Sequence, residues 1–229
     1  MRLPSLLLAA LALVDLAFAT PSVRRRNTGR PEPLPPEMAL PVVARANAAQ
    51  NITIPLPPSV TPTSPPHPVP TALDLAVSYA MSDSCLLYLT SILSSDTFQS
   101  CLPFSLLLMT STSYASLLST SRSSGDLATL NQLVAYTSSP QPSSGQCDNY
   151  FSGVLTALKA KNNCAADLAK GSPARGIAKE VQAGVASYKL MREASALTDP
   201  DTGGYCYLQA VASPTPDDLY LWSLPAGIS

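Results

Sequence analysis

Residues 85–109, CLLYLTSILSSDTFQSCLPFSLLLM, decide how this chain folds. Leu86, Leu87, Leu89, Ile92 and Leu93 recur at the spacing of one apolar helix face. The preceding Met81-Ser82-Asp83-Ser84 offers side chains that cap a helix N-terminus. Ser94-Ser95-Asp96 breaks the pattern, and Asp96 with Gln99 has the form of a capping box for a one-turn helix. Leu102-Pro103 restarts the chain, because the residue before a proline avoids the α region while proline suits the first helical position. Phe104, Leu106, Leu107, Leu108, Tyr114, Leu117 and Leu118 then predict a single helix over 104–118, apolar on most faces near its start and therefore central. The apolar run 102–109 is too short to cross a bilayer, which takes about 20 residues, and it contains Pro103 and Ser105. The stretch reads as two core helices joined by a turn.

Downstream, the pattern stays helical. Asp126 is placed to cap a helix over 127–136, in which Leu127, Leu130, Leu133 and Val134 share a face. Thr137 to Gly145, with Pro140 and Pro142, reads as a loop. A helix over 148–161 presents Phe151, Val154, Leu155 and Leu158. A short helical piece at 165–170 stops at Gly171. The longest predicted helix runs over 174–197, with Ile177, Val181, Val185, Tyr188 and Met191 as its buried stripe and Lys189, Arg192 and Glu193 mainly outside it. Asp199-Pro200-Asp201-Thr202-Gly203-Gly204 is a turn. Residues 205–208 fit a short strand or a helical turn, and Tyr220, Leu221 and Trp222 are expected to dock onto the bundle.

Upstream, the composition changes. Residues 1–19 read as a secretory signal peptide with Arg2 before an apolar run and Ala17-Phe18-Ala19 as the cleavage site. Residues 20–70 hold fourteen of the 23 prolines and are expected to form a disordered, partly polyproline II arm. Arg24-Arg25-Arg26 is either a processing site or a solvated charge cluster, and Asn51-Ile52-Thr53 is a sequon for N-glycosylation at Asn51. The folded, cysteine-containing domain is expected over 71–229, with a short helix at 72–80.

A secreted chain meets an oxidising compartment, so Cys85, Cys101, Cys147, Cys164 and Cys206 are expected to form disulfides. An odd count leaves one thiol free or a partner beyond Ser229 in a longer form. Cys85 and Cys101 would be ~24 Å apart on one straight helix at ~1.5 Å per residue, too far for a bridge, but a hairpin at 94–97 brings them close. Cys147 and Cys164 bracket one helix and so are expected to bond to other segments, with Cys206 a natural partner for Cys164. The alternative for Cys85 is a buried thiol.

Several chemistries are excluded or weakened. From Thr71 onward the chain has eight Lys and Arg against twelve Asp and Glu, which is no footprint for nucleic acid. The single histidine, His67, lies in the proline arm, away from any rigid scaffold that a nucleophile–base pair requires. There is no C-x-x-C or H-x-x-x-H pair for a metal and no phosphate-binding loop, so no cofactor is expected. Two acid pairs, Asp199 with Asp201 and Asp217 with Asp218, are candidates for a glycosidase-like site; their turn-like context favours capping instead. Tyr205, Tyr207, Tyr220 and Trp222 either line a sugar- or sterol-binding groove or pack around Cys206.

Ser84-Cys85 through Tyr88-Leu89, the run from Phe98 to Ser105, Cys164-Ala165-Ala166-Asp167-Leu168, the run from Tyr188 to Ala194, Gly204-Tyr205-Cys206, and Asp218-Leu219-Tyr220 through Ser223-Leu224-Pro225-Ala226-Gly227 together resemble a domain-of-unknown-function family of fungal secreted, cysteine-containing helical proteins, over roughly 82–228. The resemblance implies a compartment and a fold; it carries no catalytic residue. Family members usually continue past this last motif with further cysteines. The expectation is an all-α, disulfide-stapled helical bundle behind a proline-rich arm, secreted or associated with the cell wall, without a membrane span, acting non-enzymatically on cell-wall components or an extracellular protein. The alternative is an extracellular lipid or sterol carrier with an apolar pocket between the 104–118 and 174–197 helices.

Overall fold

The computed structural model describes residues 52–74, 81–140 and 142–223. The signal peptide, Arg24-Arg25-Arg26, Asn51, most of the proposed 72–80 helix and the last motif from Leu224 lie outside the described residues. The described chain is an array of helices and contains no strand; a single bridge joins Thr198 to Tyr205.

Residues 85–109 run through three helices rather than the two expected. α1 (Asp83–Leu93) is capped by Ser82, whose side chain accepts from the Cys85 amide, and it buries Cys85, Leu89 and Ile92. α2 (Asp96–Cys101) buries Phe98 and Cys101. Its cap is Ser95 rather than Asp96: the Ser95 hydroxyl accepts from the Phe98 amide. α3 (Phe104–Thr110) follows Pro103 and buries Phe104, Ser105, Leu106, Leu107 and Thr110, which explains why its sequence is apolar nearly all round.

The expected 104–118 helix is two helices. Ser111 takes an extended conformation, ends α3, and caps α4 (Thr112–Ser124) by accepting from the Tyr114 amide. Thr110 donates to the Leu106 oxygen at 2.7 Å. Hydroxyl side chains compete with the helical backbone in this way, and residues 110–113 are all Ser or Thr. The expected 174–197 helix is likewise broken, into α8 (Arg175–Ala186) and α9 (Tyr188–Ser195). Ser187 sits at the joint and donates back to the Ala183 and Gly184 oxygens. The other helices are α5 (Ala128–Ser138), α6 (Ser144–Leu158), α7 (Ala165–Leu168), α10 (Cys206–Ala212) and α11 (Pro216–Ser223). α10 resolves the choice left open at 205–208 in favour of helix.

α3 packs against α8 and α9, α6 lies on α8, and α5 lies on α9. The approach of α3 to α8 is close because Gly184 faces Leu106: a Cβ there would stand 2.4 Å from Leu106 Cδ2. Ser105 Oγ donates to the Gly184 oxygen at 2.6 Å across the same contact. At this point the two helices are in direct contact.

Two disulfides staple the bundle. Cys85 on α1 bonds Cys164, 79 residues on, and Cys101 on α2 bonds Cys147 on α6, 46 residues on. This corrects two expectations: Cys85 and Cys101 do not pair, and Cys206 is a free thiol rather than the partner of Cys164. The hairpin did form, but it turns the two cysteines toward different segments. The expectation that Cys147 and Cys164 bond elsewhere is met.

Within 52–70 the proline-rich arm forms neither helix nor strand, but it is placed against the helical body rather than disordered. Ile52, Ile54 and Val69 pack against the core and Pro70 is buried. Its inner end is pinned at the Ser111 break: Thr71 N donates to Ser113 Oγ at 2.9 Å and Leu73 N to Thr110 Oγ1 at 3.0 Å. Asp74 accepts from the amides of Thr112 and Ser113, so a residue outside α4 satisfies that helix's free donors.

Candidate binding groove

A cavity lies where this arm meets α2. It has a volume of ≈ 590 Å³ and is walled by Ser64, Pro65 and Val69 on one side and by Asp96, Phe98 and Tyr136 on the other. Phe98 is held in place by its edge-to-face contact with Phe151, ring centres 5.7 Å apart. Tyr136 reaches from α5 and donates its hydroxyl to the Ser100 oxygen at 2.5 Å; burial raises its pKa, so it stays a donor. Gln99 donates to the Leu93 oxygen at 3.3 Å. The groove thus offers an apolar floor with a carboxylate and hydroxyls at its edge. That arrangement suits binding.

One aspartate of each acid pair serves a turn or cap, and Asp217 is exposed. Asp199 Oδ1 accepts from the amides of Asp201 and Thr202, at 2.9 and 2.8 Å, and from the Thr202 hydroxyl. Its pKa is lowered, chiefly by the Thr202 amide. Asp201 contributes its amide to this turn. Asp218 Oδ2 accepts from Ser213 and Thr215, fixing the entry to α11. His67 is exposed on the arm. Among the described residues no cluster of His, Cys, Asp and Glu is grouped to hold a metal ion, and no helix is long and apolar enough to cross a membrane.

Of the candidate aromatic residues, Tyr207 and Trp222 pack against the bundle, whereas Tyr220, expected to dock with its neighbour Leu221, is exposed, as Leu221 is. Tyr207 is fully buried, edge-to-face with Phe104 at 5.0 Å and with Trp222 at 5.1 Å, and its hydroxyl pairs with that of Tyr114. Burial raises both tyrosine pKa values. Tyr205 is buried and Tyr220 is exposed.

Three buried polar contacts gave no sequence signal. Arg192, expected mainly outside the α9 stripe, is 9% exposed and pairs with Asp148 on α6 at 3.1 Å. Asp167 on α7 is buried and accepts from the amide and hydroxyl of Ser82, so it fixes the cap of α1 from 85 residues away. Asn131 on α5 is 5% exposed; its Nδ2 donates to the Leu56 oxygen of the arm at 2.8 Å. Each joins segments far apart in sequence, where periodicity has no reach.

No curated protein and no solved structure matches the chain. Residues 68–229 match the family model of the DUF7729 domain of unknown function, and the chain belongs to that family.

Proposed function

We propose that this chain is a secreted or cell-wall-associated protein that acts by surface contact and carries out no enzymatic step. The observation that carries the reading is the state of its chemically capable side chains. Both acid pairs singled out from the sequence contain an aspartate fixed as a turn or helix cap, the Tyr114 and Tyr207 hydroxyls bond each other, and those of Tyr136 and Tyr188 bond backbone oxygens. Two disulfides and the signal-peptide pattern of 1–19 support the compartment. The test is expression from the native leader in a eukaryotic secretory host. The protein is expected in the medium, beginning at Thr20, with Cys206 alone alkylatable, and it should cosediment with insoluble cell-wall polysaccharide without releasing reducing sugar. Retention inside cells with reduced cysteines would overturn the compartment, and sugar release would overturn the non-enzymatic role.

One observation favours a second reading, small-ligand carriage: the ≈ 590 Å³ groove beside Phe98 and Tyr136 falls within the ~300–1,000 Å³ of ordinary ligand sites. Mass spectrometry of a lipid extract from the secreted protein tests it. A stoichiometric lipid or sterol supports carriage, and an empty extract removes it.

A further inference from the structure

The outer part of the arm, residues 52–58, occupies a trough of its own, separate from the ≈ 590 Å³ groove. Three elements build the trough: the Gly125 turn after α4, Asn131 on α5, and the 199–204 turn. Ile52 lies by Gly125, Ile54 by Gly204 and Leu56 by Gly203. Alternate residues of an extended segment thus meet successive points of the body, which is how an extended peptide is read. Gly204 is buried, and a Cβ on it would stand 2.8 Å from Ile54 Cγ2. Its other neighbours would be the Pro55 oxygen at 3.6 Å and Thr202 Oγ1 at 3.7 Å. The close fit is therefore to the arm itself.

Asn131 is the second observation. Its Nδ2 donates to the Leu56 oxygen, while its Oδ1 is buried and has no protein partner. A carboxamide suits both polar groups of an extended backbone. The arm satisfies only the acceptor side, and it has few N–H groups to give: Pro55, Pro57 and Pro58 flank Leu56. Between 52 and 70 the Asn131 contact is also the arm's only hydrogen bond to the body among the described residues, and Leu56 is 65% exposed. The segment fits its trough but is lightly held.

We propose that this trough is an extended-peptide binding site, filled in cis by residues 52–58, and that it accepts in trans a proline-flanked aliphatic peptide of the same Ile-x-Ile-x-Leu pattern. The inference goes beyond the surface-contact reading, because it names the partner's chemistry and makes the arm a built-in competitor. A tethered segment acts at an effective concentration on the order of millimolar, so releasing it raises the apparent affinity for a free peptide.

The experiment uses the full chain and a fluorescein-labelled peptide of residues 51–59, NITIPLPPS, read by fluorescence anisotropy. The variant with Ile52→Asp and Ile54→Asp should bind the probe at least about tenfold more tightly than wild type. Adding Gly204→Ala to that variant should weaken binding by about tenfold or more; with the arm out, the new methyl meets no close body atom and the fold is retained. A scrambled peptide should not bind. Equal probe affinity for wild type and the released variant, or equal affinity for the scrambled peptide, overturns the proposal. If the released variant does not fold, wild type decides. Millimolar unlabelled peptide should shift the amide resonances of Gly125, Gly203 and Gly204, and unmoved resonances overturn the proposal. Dimerisation of wild type that free peptide reverses counts in favour, with the arm of a second copy as the occupant.

Discussion

The two disulfides are nested, and the nesting sets what their removal costs. Cys101–Cys147 lies wholly inside the loop that Cys85–Cys164 closes. In the chain-entropy account, a bridge across 46 residues stabilises by ~4 kcal/mol, and one across 79 residues by ~4.5 kcal/mol if it stood alone. It does not stand alone. With the inner bridge intact, the outer one constrains only the segments from Cys85 to Cys101 and from Cys147 to Cys164, an effective loop of about 35 residues and ~3.8 kcal/mol. All four cysteines are fully buried, so truncation to alanine adds a packing loss of about 1 kcal/mol per bridge. Replacing Cys85 and Cys164 by alanine is therefore expected to cost ~5 kcal/mol, and replacing all four about twice that. The second figure falls inside the ~5–15 kcal/mol stability of ordinary domains, so the quadruple variant should be largely unfolded at room temperature. Urea unfolding of wild type, each paired variant and the quadruple variant measures this, with non-reducing peptide mapping of the same samples. Either paired variant unfolding at the wild-type midpoint would refute the pairing, as would Cys206 recovered in a bridge.

Three further predictions follow from single contacts. Gly184→Ala puts a methyl 2.4 Å from Leu106 Cδ2; overpacking of ~1–3 kcal/mol outweighs the gain in helix propensity of up to ~1 kcal/mol, so the urea midpoint should fall, and Leu106→Val should restore part of it. Tyr207→Phe strands the buried Tyr114 hydroxyl at a cost of ~1–3 kcal/mol, while the double variant with Tyr114→Phe should cost less than the two single losses added; strictly additive losses in that cycle would show that the hydroxyls do not pair. The third concerns acid. Burial raises the Asp74 pKa, but hydrogen bonds from Ser113 and Thr112 outweigh it and the net shift is downward. A lowered folded pKa contributes stability above the ordinary carboxylate value, about pH 4, and loses it as pH falls through the folded value. Asp74→Asn should flatten that part of the stability–pH curve, and an unchanged curve would show that the carboxylate does not cap α4.

What the sequence made legible was local. The Ser82 cap, the break at 94–96, the restart at Pro103 and the buried stripe of α8 all rest on neighbours within a turn or two. Two helices were read as too long for a common reason. Periodicity registers apolar faces, and these continue across Ser111 and Ser187, whereas the breaks coincide with hydroxyl contacts to nearby backbone groups. The disulfide pairing was beyond reach because a turn fixes that two segments return, not which way their cysteines face. Arg192 reads as facing mainly outward, and Asp167 and Asn131 are of types that usually face solvent; all three are buried with partners supplied by a distant segment.

The arm is the most instructive case, because the rule applied to it was sound and its usual corollary was not. Proline removes donors, so 52–70, with eight prolines in nineteen residues, forms neither helix nor strand. Absence of secondary structure does not entail absence of packing. Proline also restricts the free chain, so an arm of this composition loses less conformational freedom on docking than an ordinary segment does. Few contacts then suffice to hold it: one side-chain hydrogen bond to Leu56, the apolar contacts of Ile52 and Ile54, and the pinned end at Thr71 and Leu73. The same small margin makes residues 52–58 exchangeable, since a competitor needs to replace only the Leu56 hydrogen bond and the aliphatic contacts of that stretch. The low ordering cost that lets the arm dock is thus also what opens its trough to a peptide from outside.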